Sequence, residues 1–276
     1  MQIHSLTRFI AFPFIIAGGY VFYKNATDDY FSEAYSWILF PLLIILVALY
    51  ILSPSIDFWW HQKYPIKIGP PVIKWLNQYS SFYQGLNETQ KAKFEKRLSL
   101  FMESKEFILM TAEKDTMPDD MKAIIACNAI HLTFDTEDYL VEGYDRIVAY
   151  LHPFPTPFYK HLHTVEIEEV DGVILLCIDY VVKGMTHETE YNIALHAFAE
   201  IHMEKHQNTQ MVDISKEDVG SLEEVSGISH EAILQTIGFD QVDTRLVALH
   251  HYLRYPEKFK SIMPDMYQKI SELLKA

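Results

Sequence analysis

The chain of 276 residues is long enough for one ordinary domain plus a membrane anchor, and its balance of apolar and charged residues is that of a folded protein. The formal net charge of −14 excludes nucleic acid as a natural partner, because binding phosphate needs a basic surface. Both cysteines, Cys127 and Cys177, lie in apolar stretches, which indicates buried reduced thiols and not a disulfide framework.

Two uncharged apolar runs open the chain, at about residues 9–23 and 37–53. Each is slightly short for a hydrocarbon core of roughly 30 Å, but aromatic residues at the ends extend the reach. They predict a two-helix transmembrane hairpin within an anchor of residues 1–60. The alternative for the first run is a cleaved signal peptide with its small-residue cleavage site at Ala17-Gly18-Gly19.

The charges around the two runs favour the hairpin and predict its orientation. Arg8 precedes the first run, Lys63 and Lys67 follow the second, and the linker between the runs is acidic apart from Lys24 at its start. Because basic residues flank membrane helices on the cytoplasmic side, both ends are predicted to face the cytoplasm. The large domain that follows is therefore expected in the cytoplasm.

A connector and a folded domain make up the rest of the chain. The prolines between Pro54 and Pro71 predict an irregular connector, which leads into an amphipathic segment, together residues 61–89. The folded domain is predicted at residues 90–276. Apolar spacing typical of helices begins just before it, at Asn87, and recurs over Met117–Leu132.

Strands and further helices follow. Short apolar runs predict strands at Arg146–Tyr150, Thr164–Val170 and Val173–Tyr180, with a hairpin turn at Asp171-Gly172 between the last two. Apolar spacing predicts a helix over Glu190–His206, a polar loop to about Ser229, a helix over Asp243–Tyr255, and a last helix from Pro256. Helices, then strands, then helices predict an α+β fold.

A metal site is the chemistry that the residues suggest. His196 and Glu200 lie four residues apart on a predicted helix, so both point to one face. The later helix supplies His250 and His251, one of which would complete a His/His/Glu set of the kind that zinc accepts. Taken alone this pattern is weak, because histidines that merely lie in the core or on the surface, without binding a metal, also account for it.

The order of segments resembles the zinc peptidase family of Mlc titration factor A over about residues 90–276. Five blocks carry the resemblance, namely Phe107–Asp120 as early helices, Arg146–Pro153 as a strand, Asp171–Gly184 as a hairpin, Tyr191–Met203 as the active-site helix and Val247–Phe259 as the terminal helix. The resemblance implies a mainly helical, zincin-like metallopeptidase domain with a small antiparallel sheet. The predicted hairpin lies outside the resemblance and adds the expected location, the bacterial inner (cytoplasmic) membrane.

The active-site motif departs from the family. Where the family carries H-E-F-A-H, this chain reads His196-Ala197-Phe198-Ala199-Glu200. The resemblance thus implies zinc ligands at His196, Glu200 and His250, the same set in kind with two positions exchanged. It also implies that Ala197 stands where the family has its general base.

Losing a general base typically costs about a hundred- to ten-thousand-fold in rate. Three functions therefore remain open at this stage. The first is a catalytically impaired, metal-binding or protein-binding regulatory module, with a protein or peptide partner at its cleft. The second is an active zinc-dependent peptidase with a rearranged His/Glu/His site, and the third is a metal-free scaffold.

Overall fold

The computed structural model of the protein describes residues 5–27, 32–111, 117–206 and 216–274. The chain forms two compact units, Met1–Lys67 and Ile68–Ala276. The segment predicted as a lead-in contributes Leu76 and Tyr83 to the core of the second unit, because their apolar faces are buried there. That unit therefore begins well before residue 90.

Two long helices form the first unit, α1 (Leu6–Thr27) and α2 (Ser32–Lys63). The stretches Leu6–Thr27 and Trp37–Lys63 are long and apolar enough to cross a membrane, by length and composition. The irregular connector predicted from Pro54 is wrong in its first part, since α2 continues through this proline to Lys63. A proline removes one backbone hydrogen bond, which a long membrane-type helix tolerates.

Asp57 joins the two helices near the start of α1. Its Oδ1 accepts hydrogen bonds from the Thr7 backbone N–H at 2.8 Å and from the Thr7 hydroxyl at 2.9 Å. Its Oδ2 accepts from the Ser5 hydroxyl at 2.7 Å. A carboxylate here satisfies one of the backbone N–H groups that the first helical turn leaves unpaired. The start of α1 therefore lies beside the end of α2, as an antiparallel hairpin requires.

Helices dominate the second unit and surround a small sheet. The strands are β1 (Glu106–Met110), β2 (Arg146–Tyr150), β3 (Val165–Glu168) and β4 (Val173–Cys177). The helices are α3 (Pro70–Tyr79), α4 (Ser81–Gly85), α5 (Glu88–Ser104), α6 (Asp119–Leu132), α7 (Ile178–Thr186), α8 (Ile193–Lys205), α9 (Lys216–Ser226), α10 (His230–Ile237), α11 (Thr244–Arg254), α12 (Pro256–Ile262) and α13 (Pro264–Leu273). The predicted mainly helical α+β class is confirmed.

The sheet is mixed, so the prediction of an antiparallel sheet is wrong. Its strand order is β1-β2-β4-β3, and the pairs β1–β2 and β2–β4 are parallel. Parallel neighbours need a long crossover, and α6 lies between β1 and β2 in the chain. The β3–β4 pair is antiparallel, as the Asp171-Gly172 turn predicts, and Gly172 adopts φ +62° there.

Four local predictions differ from the structure. The single last helix predicted from Pro256 is two, α12 and α13, because Pro264 starts a new helix. The resemblance assigned Phe107–Asp120 to early helices, but its first residues belong to the edge strand β1 (Glu106–Met110). A short apolar run is compatible with a helix or a strand, and pairing with β2 makes this one a strand. The strand predicted to Tyr180 ends at Cys177, where α7 begins. The loop predicted to Ser229 contains α9, while residues 207–215 of it lie outside the described part of the chain.

The helix α8 lies in the middle of the second unit. It packs against α6 and α11 and against strands β3 and β4. Every residue of Ile193–Ala199 is buried, as expected of a helix that is apolar on all sides. The residues predicted to carry the chemistry therefore lie at the centre of the core.

Candidate functional site

Asn192 fixes the start of α8. Its Oδ1 accepts hydrogen bonds from the backbone N–H groups of Ala194 and Leu195, both at 3.1 Å, which caps the helix. Its Nδ2 donates to Oδ1 of Asn128 on α6 at 2.8 Å. Both asparagines are buried, and these bonds satisfy polar groups that burial would otherwise penalise. The first turn of α8 is thereby held against α6.

His196 lies on the second turn of α8 and is buried. The Tyr191 hydroxyl oxygen lies 2.8 Å from its Nδ1, and Oε2 of Glu200 lies 3.7 Å from its Nε2. The first distance is that of a hydrogen bond, and the second is too long for one. Burial lowers the pKa of His196 to about 4, so the imidazole is neutral at physiological pH.

Glu200 is the partly exposed member of the predicted ligand set, with 40% of its side chain accessible. Burial first, and then the charges of Glu204, Glu169 and Asp243, raise the pKa of Glu200 to about 7. This carboxyl therefore keeps its proton to a higher pH than an ordinary glutamate does. Protonation weakens a carboxylate as a metal ligand, because metal and proton compete for the same oxygens.

His250 on α11 is fully buried. Its ring stacks on that of Tyr191, with centroids 4.1 Å apart and 27° between the planes. Its Nδ1 lies 3.0 Å from Nδ1 of His251, and its Nε2 has no hydrogen-bond partner among the residues the structure describes. Burial, followed by the neighbouring His251 and His196, lowers the pKa of His250 well below its usual value.

Tyr191 connects the two predicted histidine ligands. Its ring contacts His196 edge-on, at 5.5 Å between centroids, and stacks on His250. The structure thus brings His196 and Glu200 together and places His250 against the same tyrosine ring. Within residues 5–27, 32–111, 117–206 and 216–274, no group of three or more His, Cys, Asp or Glu is arranged to hold a metal ion.

Zinc, which the resemblance implies, needs contacts of about 2.0–2.2 Å from nitrogen and oxygen ligands. As they lie, these side chains do not form such a site, since the Nδ1 atoms of His196 and His250 contact Tyr191 and His251, and no third His, Cys, Asp or Glu among the described residues completes a set with them. The assignment of His196, Glu200 and His250 as ligands stays a prediction.

Ala197 has no accessible surface and belongs to the main hydrophobic core. Its methyl group has neither a proton to give nor a lone pair to take one. Packed core therefore occupies the position at which the resemblance predicts a general base.

A cleft of about 570 Å³ lies elsewhere on the second unit, between α4, the end of α6 and the helices α11–α13. Aromatic rings line much of it, including Phe82 and Tyr267. Arg254 lies on the wall of this cleft, and its Nη2 donates a hydrogen bond to the Gly184 carbonyl at 2.9 Å. The stacking of His131 on Phe82, at 4.1 Å between centroids, places an imidazole on the same wall.

Sequence reasoning missed several of these residues. Asn192 has a recognisable signal, an asparagine directly before an apolar helix, which is typical of an N-cap. Tyr191, Arg254 and His131 have no such signal, because their contacts join segments far apart in the chain.

Comparison with known families places the chain. The family model of the glucose-regulated metallo-peptidase M90 matches residues 58–213, more than half of the chain, and includes α8. The match ends before α11, which carries His250. No curated protein matches the chain. The resemblance to the peptidases of Mlc titration factor A is confirmed by this match. On these grounds the chain belongs to the glucose-regulated metallo-peptidase family M90.

Proposed function

We propose that this chain is a membrane-tethered member of family M90 that lacks ordinary peptidase activity and acts as a regulatory binding module. The observation that carries the proposal is Ala197, buried at the position that follows the first motif histidine. A zinc peptidase must move a proton from the metal-bound water to the leaving amine, and the glutamate at this position does so. A methyl group cannot.

Nearby carboxylates are poor substitutes for the missing base. Glu188 and Glu190 are exposed and lie before Tyr191 on the segment that leads into α8. The backbone carbonyl of Glu188 accepts a hydrogen bond from the Tyr255 hydroxyl, which fixes that segment near α11. Among the described residues, no hydrogen bond or ion pair joins either side chain to His196, so neither is placed for proton transfer at the motif histidine.

One observation favours a second function, that of an active hydrolase. Glu200, half-exposed beside His196, has its pKa raised to about 7, and a general base works best when its pKa lies near the working pH. In that case Glu200 would serve as the base and not as a ligand. Only the two histidines of the predicted set would then remain to hold zinc, and a catalytic zinc site uses three protein ligands.

The tether is the two-helix unit. The lengths and compositions of α1 and α2 support a membrane-spanning pair, and the bonds of Asp57 to Ser5 and Thr7 support an antiparallel hairpin. The basic residues that flank the runs favour a cytoplasmic location for the second unit. The proposed location is the bacterial inner (cytoplasmic) membrane.

The cleft beside Arg254 is the surface proposed for a peptide or protein partner. Its volume of about 570 Å³ lies in the range of sites that bind ligands, and its lining combines aromatic rings with about as many polar and charged side chains of both signs. The arginine provides a cation for a carboxylate of the partner, since guanidinium pairs well with carboxylates.

The test uses the full chain purified in detergent. Zinc is quantified, and hydrolysis of an unfolded protein and of short peptides is followed with zinc added and with a chelator. We expect no hydrolysis above buffer and less than one zinc per chain. Chelator-sensitive hydrolysis would overturn the proposal, and its loss in Glu200→Gln but not in Glu188→Gln would establish the second function. One zinc per chain without hydrolysis would identify a metal-binding module and restore the predicted ligands.

A further inference from the structure

The second unit exposes few large apolar side chains, and most of them lie at one place. Among its described residues the exposed large apolar side chains are Met110, Leu151, Phe158, Tyr159, Leu162 and Val170. All but Met110 and Val170 belong to residues 151–163, a segment we call the proline loop, and Met110 lies at the end of β1 beside Tyr150, where the proline loop begins. An exposed apolar patch on a domain normally marks a surface that meets a partner or a membrane.

The proline loop is held in one shape at its base. Phe154 and His163 form an antiparallel bridge with two backbone hydrogen bonds, of 2.9 and 3.1 Å. His163 is fully buried, and its Nε2 lies 2.8 Å from Oε2 of Glu166. The α-carbon of Gly238 approaches so closely that a side chain there would meet the His163 α-carbon at 2.6 Å. The base is therefore fixed by backbone bonds and tight packing.

The tip of the same loop is apolar and turned to solvent. Phe158 is 72% exposed and Leu162 is 63% exposed. Tyr159 is exposed as well, but its ring packs edge-on against Phe239 at 5.0 Å. A rigid base therefore presents two bulky apolar side chains that no described residue of the domain covers. Because the backbone of the loop is already fixed, binding through these two side chains loses little further conformational entropy.

The composition of the proline loop indicates what covers it. The segment reads LHPFPTPFYKHLH and contains no acidic residue, in a chain whose formal net charge is −14. Lys160, His152 and His161 are exposed beside the apolar tip. Aromatic side chains next to a cation such as Lys160 are typical of segments that lie at the headgroup level of a bilayer, where lipid phosphates attract cations.

We propose that the proline loop inserts its tip, Phe158 and Leu162, into the surface of the bilayer that holds the tether. This inference rests on the proposed membrane tether, since the continuous chain then keeps the second unit close to that bilayer. A single small loop would bind a membrane weakly by itself. Linkage to the tether makes the contact intramolecular, so a weak contact is populated for most of the time.

The test places an environment-sensitive dye on the full chain in vesicles of phosphatidylcholine and phosphatidylglycerol. Phe158→Cys carries the dye, and Val170→Cys is the matched control, because Val170 is 92% exposed on the turn between β3 and β4. The native Cys127 and Cys177 are buried, which limits their labelling. We expect a blue-shifted emission and strong quenching by nitroxide-labelled lipid at position 158, and a water-like emission without quenching at position 170.

A second pair of variants guards against an effect of the dye. With the dye at His161→Cys, quenching should fall several-fold when Phe158→Ser and Leu162→Ser are added, and should not change with Val170→Ser. Flotation of the vesicles separates the two claims. A chain that does not float with the vesicles overturns the tether and this inference together. A chain that floats while its dye at 158 stays water-like overturns the inference alone and leaves the loop as a surface for a protein.

Discussion

Ala197→Glu restores the side chain that a zinc peptidase carries after its first motif histidine, at a position that has no accessible surface in this chain. The change adds a methylene and a carboxyl group inside a closed core. Overpacking of a core typically costs about 1–3 kcal/mol. An unsatisfied buried carboxyl adds about 1–3 kcal/mol more, so we expect the free energy of unfolding to fall by about 2–6 kcal/mol. The total free energy of unfolding of a domain is typically only about 5–15 kcal/mol, so this loss is a large part of it.

Ala92→Glu is the matched control, because Ala92 is an exposed residue of the helix α5 and the substitution is chemically the same. Its effect should stay within about 0.5 kcal/mol. Urea unfolding of the full chain in detergent, followed by circular dichroism, measures both variants. With a slope of about 2 kcal/mol per molar urea, the Ala197→Glu midpoint should fall by about 1–3 M. Equal midpoints for the two variants would refute the closed core and show room for a catalytic base.

Three other outcomes test the surroundings of the site. Tyr191→Phe removes the hydroxyl that lies 2.8 Å from Nδ1 of His196. The free energy of unfolding in urea should fall by about 1–2 kcal/mol. An unchanged free energy of unfolding would mean that this hydrogen bond does not stabilise the core. Gly184→Ala puts a β-carbon 2.6 Å from the Asn192 α-carbon, so it should lower the midpoint of thermal unfolding at a cost of about 1–3 kcal/mol. In contrast, Gly220→Ala, whose β-carbon meets no described atom within 4 Å in the helix α9, should stabilise by up to about 1 kcal/mol. The raised pKa of Glu200 means that the folded state binds a proton more tightly than the unfolded state, so native stability falls as pH rises from about 4.5 to about 7. Glu200→Gln removes this pH-dependent loss of stability. At pH 8 the variant should be more stable than the native chain by about 1 kcal/mol, after discounting for solvent screening, and below pH 4.5 the two should be equally stable. A variant that is less stable than the native chain at pH 8 would contradict the raised pKa of Glu200.

Local signals in the sequence predicted much of the fold. Apolar spacing predicted a helix over Asp243–Tyr255, and at the start of α11 the Asp243 side chain accepts a hydrogen bond from the Arg245 backbone N–H at 2.8 Å. Asp171-Gly172 between two apolar runs predicted the β3–β4 hairpin. Each signal works because the interaction that fixes the element lies within a few residues of it.

Interactions between segments that are far apart in the chain could not be predicted from the sequence. The run Glu106–Met110 becomes a strand because β2, forty residues later in register, pairs with it. The contact of Tyr191 with His250 has the same origin, since the ring of one segment fills the space beside a helix that comes much later. A spacing argument found the His196–Glu200 pair, but it could not show which side chains occupy the volume around them.

The packing around Tyr191 limits what single substitutions at the predicted motif can do. Ala197→Glu or His250→Glu would place a carboxyl group in a closed core, and effects of substitutions that share neighbours there are expected to be coupled and not additive. A variant with one such carboxyl would lose stability before it gained a usable proton-transfer group. Changes on the exposed surfaces of the domain cost the fold far less.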